Sequence, residues 1–243
     1  MTMRRIFLAL AFVLAFLPQA HAEDFTRAQI EQIIREYIAN NPKEMIESVE
    51  RYGKQQQQVE DEAASKLVRE NMDWLVKNPK HAEAGNPKGD VTIVEFFDYN
   101  CGYCKAALPD LMTLLDADKN LRLVFVEIPI LGDASTVAAK WALAARDQEK
   151  YLPFHISLMK HKGPMDEATY VDYATRAGLD VKKLKEAKDS NDVVLTIDDN
   201  LRMARTLSIQ GTPAFIVGDQ LIRGYVGIDA LREAVQKARD KAK

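Results

Sequence analysis

Only two cysteines occur in the 243 residues, Cys101 and Cys104. A bridge between them would enclose just Gly102 and Tyr103. A structural disulfide stabilises by closing a long loop, and this one constrains almost nothing in the unfolded chain. The four histidines, His21, His81, His155 and His161, form no ligand pattern with the cysteines, so a closed zinc site would still need two more ligands. No basic block points to nucleic acid, and no acidic tail points to a disordered arm. What is present is ordinary globular material: 47% apolar and 28% charged residues, a net charge of −3, and a length that allows one or two domains.

Long apolar runs are also missing, with one short exception. Arg4 and Arg5 precede the apolar stretch Ile6 to Leu17, and Pro18 and Ala20-His21-Ala22 follow it. A basic start, a short apolar stretch and an A-x-A site read as a cleaved signal peptide over residues 1–22. The stretch falls short of the ~20 residues that span a bilayer, which sets aside an uncleaved anchor. No cysteine stands near the site to be lipidated. The expectation is an exported, periplasmic protein. Loss of the two arginines takes its charge from −3 to about −5. In an oxidising compartment paired thiols tend to become disulfides, and the lone pair gains its meaning from that.

Residues 23–78 read as helix. Thr26 and Gln29 form a capping box, and Phe25 and Ile30 are placed for a hydrophobic staple. Ile30, Ile33, Ile34, Tyr37 and Ile38 then share one face. Asn41 is expected as the N-cap of a second helix, with Pro42 at its first position and Glu44 completing a second box. Met45, Val49, Tyr52, Val59 and Ala63 continue at helical steps. Gly53 and the polar run 54–62 suggest a flexible or variably helical connector. Stripes this small form no core alone, so they pack on the rest of the chain or on copies of themselves; self-association is the favoured reading.

A turn-rich segment, 78–90, opens the second region, 79–243. Two apolar runs, 91–97 and 121–131, read as buried strands. A helical block, about 134–208, carries the stripes Val137, Ala138, Trp141, Ala145 and Val194, Ile197, Leu201, Ala204. Gly211-Thr212-Pro213 breaks the pattern, a hairpin follows about Gly218-Asp219, and a last helix from about Asp229 turns Leu231 and Val235 inward. Strand, helix, strand, helical block, hairpin and helix describe an α/β sheet covered by helices, with the block inserted between its halves.

The cysteines lie where the first strand gives way to helix. A helix N-terminus offers free N–H groups and a positive dipole end, and both favour a thiolate at Cys101. Cys101 is expected as the exposed nucleophile, and Cys104, one turn on and shielded, as the residue that resolves the mixed disulfide. Soft thiolates also bind Cu(I), so a copper carrier using Cys101 and Cys104 is a second reading.

FFDYNCGYC (96–104), the helical block and the later GTPAF (211–215) resemble the thioredoxin-fold Dsb family of exported thiol–disulfide oxidoreductases, over residues 85–240. With the helical N-terminal region the chain is most similar to the ScsC-like proteins, suppressors of copper sensitivity known as oligomeric disulfide isomerases. The resemblance implies a thioredoxin fold with an inserted helical domain, preceded by an oligomerisation region. It makes Glu95 the buried acid beneath the disulfide, with its proton affinity raised by desolvation so that it serves Cys104. It makes Pro213 the cis-proline facing the pair, which turns the Thr212 backbone toward an incoming chain. The strong oxidant of the family has Pro-His between its cysteines. Gly102-Tyr103 supplies no cationic imidazolium, so the disulfide should be less oxidising, and Thr212 before the proline resembles the isomerase branch. The implied partners are misfolded or disulfide-containing exported proteins, a membrane thiol reductase that keeps the pair reduced, and further copies of the chain, favoured as a trimer. No cofactor is implied. The other alternative is a monomeric dithiol oxidase.

Overall fold

The computed structural model describes residues 25–242. The signal-peptide reading at 1–22 lies outside the described residues. The chain divides into two compact units, a first ending at Gln55 and a second starting at Gln56.

The first unit holds helix α1 (Arg27–Asn40) and the start of α2 (Pro42–Glu70). The Thr26–Gln29 capping box forms in both directions. The second expected box does not. Asn41 closes α1, donating from Nδ2 to the Tyr37 carbonyl at 2.8 Å, and the Glu44 carboxylate accepts the Tyr37 hydroxyl. Asn41 therefore caps the helix behind it, where carbonyls are free, and Glu44 is spent on a side chain rather than on a backbone N–H. Phe25, Ile30, Ile33, Ile34, Tyr37, Ile38, Met45, Val49 and Tyr52 are all exposed. Helix α2 runs without a break through Gly53 and the polar segment 54–62. Gln, Lys and Glu are good helix formers, and one glycine costs only about 1 kcal/mol.

The second unit contains α3 (Met72–Lys77), β1 (Ala82–Gly85), β2 (Val91–Phe97), α4 (Gly102–Ala117), β3 (Leu121–Glu127), α5 (Asp133–Ala144), α6 (Tyr151–Lys160), α7 (Glu167–Arg176), α8 (Val181–Ala187), α9 (Asn191–Thr206), β4 (Ala214–Val217), β5 (Gln220–Arg223) and α10 (Ile228–Lys241). The sheet order is β1-β3-β2-β4-β5; only β2 and β3 run parallel, joined by α4. Both central strands are buried on two faces, which is why they read as continuous apolar runs. One face carries Ile93, Phe97, Phe125 and Phe215 against Ala107, Leu108 and Leu111 of α4, Leu231 of α10 and Phe154 of α6. The other carries Val94, Phe96, Val124, Val126 and Ile216 against Val68, Leu75, Ala204 and Leu207.

Four differences from the sequence reading have physical causes. The boundary was expected at residue 78, yet Ala64, Val68 and Leu75 are buried in the second unit, so the end of α2 belongs to its core. β1 lies inside the segment expected as turns; it is a four-residue edge strand, AEAG, with only Ala82 and Ala84 inward. β3 stops at Glu127 rather than 131, because the chain then turns away at Pro129 into an exposed loop. Val137 and Val194 are exposed, so each inserted stripe is narrower than its spacing suggests.

Candidate active site

β2 delivers the site. Cys101 is the N-cap of α4, in extended backbone (φ −78°, ψ 117°), with its N–H on the Asp98 carbonyl at 3.1 Å. No acidic side chain stands in the first turn of α4, so the positive end of the helix is left to the Cys101 sulfur. Both cysteines are free thiols. Cys104 is fully buried one turn on. Cys101 is expected as an exposed thiol; it is only 7% exposed. The reason is the loop opposite. The Thr212–Pro213 peptide bond is cis, and Cys101 Sγ donates to the Thr212 carbonyl at 3.2 Å. Gly102 and Tyr103 lie on the outer side, with Tyr103 67% exposed.

Glu95 sits in the middle of β2 on the face it shares with Ile93 and Phe97, the face that α4 covers. It is buried, and neither carboxylate oxygen has a hydrogen-bond partner. Desolvation, reinforced by charge on Cys101, holds its pKa up at about 8. Burial pushes the Cys104 thiol well above its ordinary value and the nearby Glu95 charge adds to this, while the Asp98 backbone and the Thr212 side chain pull the other way. Charge on Glu95 thus opposes ionisation of Cys104, and charge on Cys101 opposes ionisation of Glu95.

The structure brings Cys101, Cys104, Glu95, Thr212 and Pro213 together. Ile30, Ile33, Ile34, Tyr37 and Ile38 belong to the first unit. Two groups escape the sequence reading. Asp98, directly after β2, is buried and accepts four hydrogen bonds. Behind it lies a buried polar cluster: Tyr151 donates to Glu127, and the Tyr99 hydroxyl is 2.9 Å from His155 Nδ1. Burial raises Glu127 to about 7 and lowers His155 to about 3, so the imidazole is neutral. A carboxylate directly after the first apolar run, Asp98, and one inside the second, Glu127, were the available signals. Among the described residues no cluster of three or more His, Cys, Asp or Glu could hold a metal ion.

Paired thiols at a helix N-terminus, opposite a cis-proline that enters a hairpin, are the working parts of thioredoxin-fold thiol–disulfide oxidoreductases. The chain belongs to the family described as the DSBA-like thioredoxin domain, whose model matches residues 92–236. A thioredoxin-like oxidoreductase from Silicibacter pomeroyi DSS-3 is 44% identical, with a TM-score of 0.66 over 69% of this chain and 97% of its own. Proteus mirabilis ScsC in a transitional conformation is 26% identical, with a TM-score of 0.67 over 89% of this chain and all (100%) of its own. Disulfide bond formation protein D of Bacillus subtilis is 26% identical over 63% of this chain and 74% of its own. The Na(+)/H(+) antiporter NhaA 1 of Salinispora arenicola is 33% identical over 63% of this chain, but the chain spans only 24% of the antiporter's length. No helix among the described residues is long and apolar enough to cross a membrane.

Proposed function

We propose that this chain is an exported protein disulfide isomerase and reductase acting through Cys101 and Cys104, and that a membrane thiol reductase keeps the pair reduced. The observation that carries the reading is the pair of free thiols over an unpartnered Glu95, with the Thr212 carbonyl against Cys101. The Cys101 thiolate attacks one sulfur of a substrate disulfide. A Cys101–substrate bond forms, the substrate S–S bond breaks, and the second substrate sulfur leaves as a thiolate. Two exits follow. In the first, another substrate thiolate attacks the bound substrate sulfur, a new pairing forms and Cys101 leaves reduced, with no net electron transfer. In the second, Cys104 attacks Cys101, the substrate leaves as a thiol, and the protein pair is oxidised.

Glu95 times the second exit. While Cys101 is a thiolate, its charge helps to keep the proton on Glu95. The mixed disulfide removes that charge, so Glu95 ionises more readily and becomes the acceptor for the Cys104 proton when Cys104 must attack. Support for isomerisation over oxidation comes from Tyr103, which places no imidazolium beside the thiolate, and from the exposed apolar stripe of the first unit. Support for export comes from the N-terminal pattern and from the 30% identity to a periplasmic thioredoxin-like protein of Salmonella enterica.

Refolding of a scrambled-disulfide protein tests the reading. The reduced chain is expected to restore substrate activity catalytically, and Cys104→Ala to accumulate mixed disulfides. A chain that oxidises a reduced substrate and leaves the scrambled one unrepaired is a dithiol oxidase, and the isomerase reading is then discarded.

A further inference from the structure

The Cys101 side chain makes no capping hydrogen bond to α4, so the start of the active-site helix lacks a local anchor of that kind. The chain is brought to it by a turn over 98–101. The Asp98 carbonyl accepts the Cys101 N–H at 3.1 Å and closes this turn. Asp98 Oδ1 accepts the Asn100 N–H at 2.7 Å, the bond by which an aspartate fixes a turn through its own side chain. Cys101 leaves the turn in extended backbone, and its carbonyl accepts the Lys105 N–H at 3.1 Å as the helix begins. Cys104 stands inside that first helical turn. The separation of the two sulfurs therefore depends on how firmly the 98–101 turn is held against α4.

Asp98 is also held from outside the turn. Oδ1 accepts the Ser135 hydroxyl at 2.7 Å, and Oδ2 accepts the backbone N–H groups of Ile130 at 2.9 Å and Leu131 at 3.0 Å. The Asn100 side chain donates to Ser135 Oγ at 2.9 Å and closes the cluster. One carboxylate thus ties the cysteine turn to the loop after β3 and to the first turn of α5. Asp98 and Ser135 are both buried, so solvent competes little for these bonds. A buried carboxylate is costly, and a site that needed only a polar filler would be served by a neutral side chain. Four donors drawn from three segments make Asp98 a fixed reference point for the turn.

That anchorage matters most in the mixed disulfide, when a polypeptide bonded to Cys101 pulls on the turn. To close the pair, Cys104 as a thiolate attacks the Cys101 sulfur in line with its bond to the substrate. The Cys101–Cys104 bond forms, the Cys101–substrate bond breaks, and the substrate sulfur leaves with the electron pair and takes up a proton. A displacement of this kind depends steeply on alignment. We infer that Asp98 is a positioning residue for this resolving step, and that its carboxylate, held by Ser135 and by the Ile130 and Leu131 N–H groups, keeps Cys101 in line with Cys104 while a substrate is attached. The inference rests on the thiol–disulfide exchange reading and assigns what decides between its two exits. A firm turn favours closure of the pair, and a loose one leaves the mixed disulfide to a second substrate thiol.

Ser135→Ala tests the inference, because Ser135 belongs to α5 rather than to the cysteine turn, and alanine is a good helix former. It removes one donor from Asp98 and leaves three. The full-length reduced protein is mixed with oxidised glutathione, and acid-quenched samples are resolved by mass into dithiol, Cys101–glutathione mixed disulfide and Cys101–Cys104 disulfide. The rate of forming the mixed disulfide should stay within about twofold of wild type, whereas its closure should slow roughly fivefold, the scale of one buried hydrogen bond. The equilibrium constant for the internal disulfide should fall by a similar factor. Asp98→Asn, whose amide cannot accept from all four donors, should show the same pattern by more than about tenfold. Closure at the wild-type rate in Ser135→Ala would overturn the inference. So would equal slowing of both steps, which marks a general loosening of the site. A wild-type protein that forms no mixed disulfide with glutathione would defeat the exchange reading itself, so the two failures are distinct. Should Asp98→Asn fail to fold, the serine variant still decides.

Discussion

Glu95 and Glu127 each hold a proton that the unfolded chain would release. Burial raises their pKa values from the ordinary 4.5 to about 8 and about 7. An acid whose folded value is raised contributes stability in full below about 4.5, and that contribution is lost as pH rises through the folded value. His155 and His81, lowered by burial to about 3 and about 4, have the opposite sign. Their contribution is complete above their ordinary value near 6.5 and falls away toward acid. Stability should therefore decline on both sides of a maximum in weakly acidic solution. Glu95→Gln removes the alkaline penalty at one site but leaves a buried amide unpartnered at every pH. The telling quantity is how the melting-temperature difference from wild type changes between pH 5 and pH 9. It should move in favour of the variant by about 5 °C or more, given ~1.4 kcal/mol per pH unit of raised pKa and roughly 2–4 °C per kcal/mol for a chain this size. A difference that stays constant across that range would mean that Glu95 is solvated and ionises as it does in the unfolded chain.

At the scale of the element, α2 is the instructive case. Gly53 and the polar run 54–62 argue for a break, and the helix continues through both. Nothing lies within 4 Å of a methyl group built at Gly53. Gly53→Ala should therefore add helical stability of about 1 kcal/mol, and Gly53→Pro should cost ~3 kcal/mol and divide the helix. Far-ultraviolet circular dichroism across a thermal ramp reads both, and alkylation of Cys101 should be unchanged in each. An alanine that lowers the helical signal would mean that the bend-prone glycine is required. The central strands, the crossover helix, the hairpin and the last helix were legible in the sequence, because two-sided burial and helical stripes leave continuous signals. β1 was not, since Ala82 and Ala84 are small and its pairing with β3 is a long-range choice. Asn41 was read one helix too late, because a side chain between two helices can serve either end and only its geometry decides. Cys101 and Cys104 were visible as residue types in a spacing, while the roles of Glu95, Thr212 and Pro213 came from the resemblance to the Dsb family. The Asp98 cluster was not visible, because its partners at 130, 131 and 135 come from the loop after β3 and the first turn of α5, whose place beside it depends on the fold.

At the scale of the whole molecule, the first unit poses the open problem. Ile30, Ile33, Ile34, Tyr37 and Ile38 are each 44–52% exposed in a pair of helices that bury almost nothing of their own. Apolar surface of this kind on a monomer marks an interaction site, and a second and third copy are the partners we favour. Assembly would place several Cys101 thiols around one bound chain and raise their effective concentration there without any new contact at the active site. It would also hinder access by the larger oxidoreductases that would reoxidise the pair. The cut that tests this must respect the core. Starting the chain near residue 70 would strip Ala64 and Val68 from the second sheet face, and any lost activity would then be ambiguous. A chain beginning at Gln56, where the second unit starts, keeps both. By sedimentation it should be a monomer where the mature protein is an oligomer. It should keep the alkylation rate of Cys101, lose most of its ability to repair a scrambled disulfide, and gain relative oxidase activity toward a reduced substrate. Ile33→Glu/Ile38→Glu in the full chain should act in the same direction with the helices still present, which separates loss of assembly from loss of the helices. If the mature protein sediments as a monomer, or if the shortened chain repairs scrambled disulfides as fast per active site, then the stripe serves some other purpose and isomerisation must arise within a single second unit.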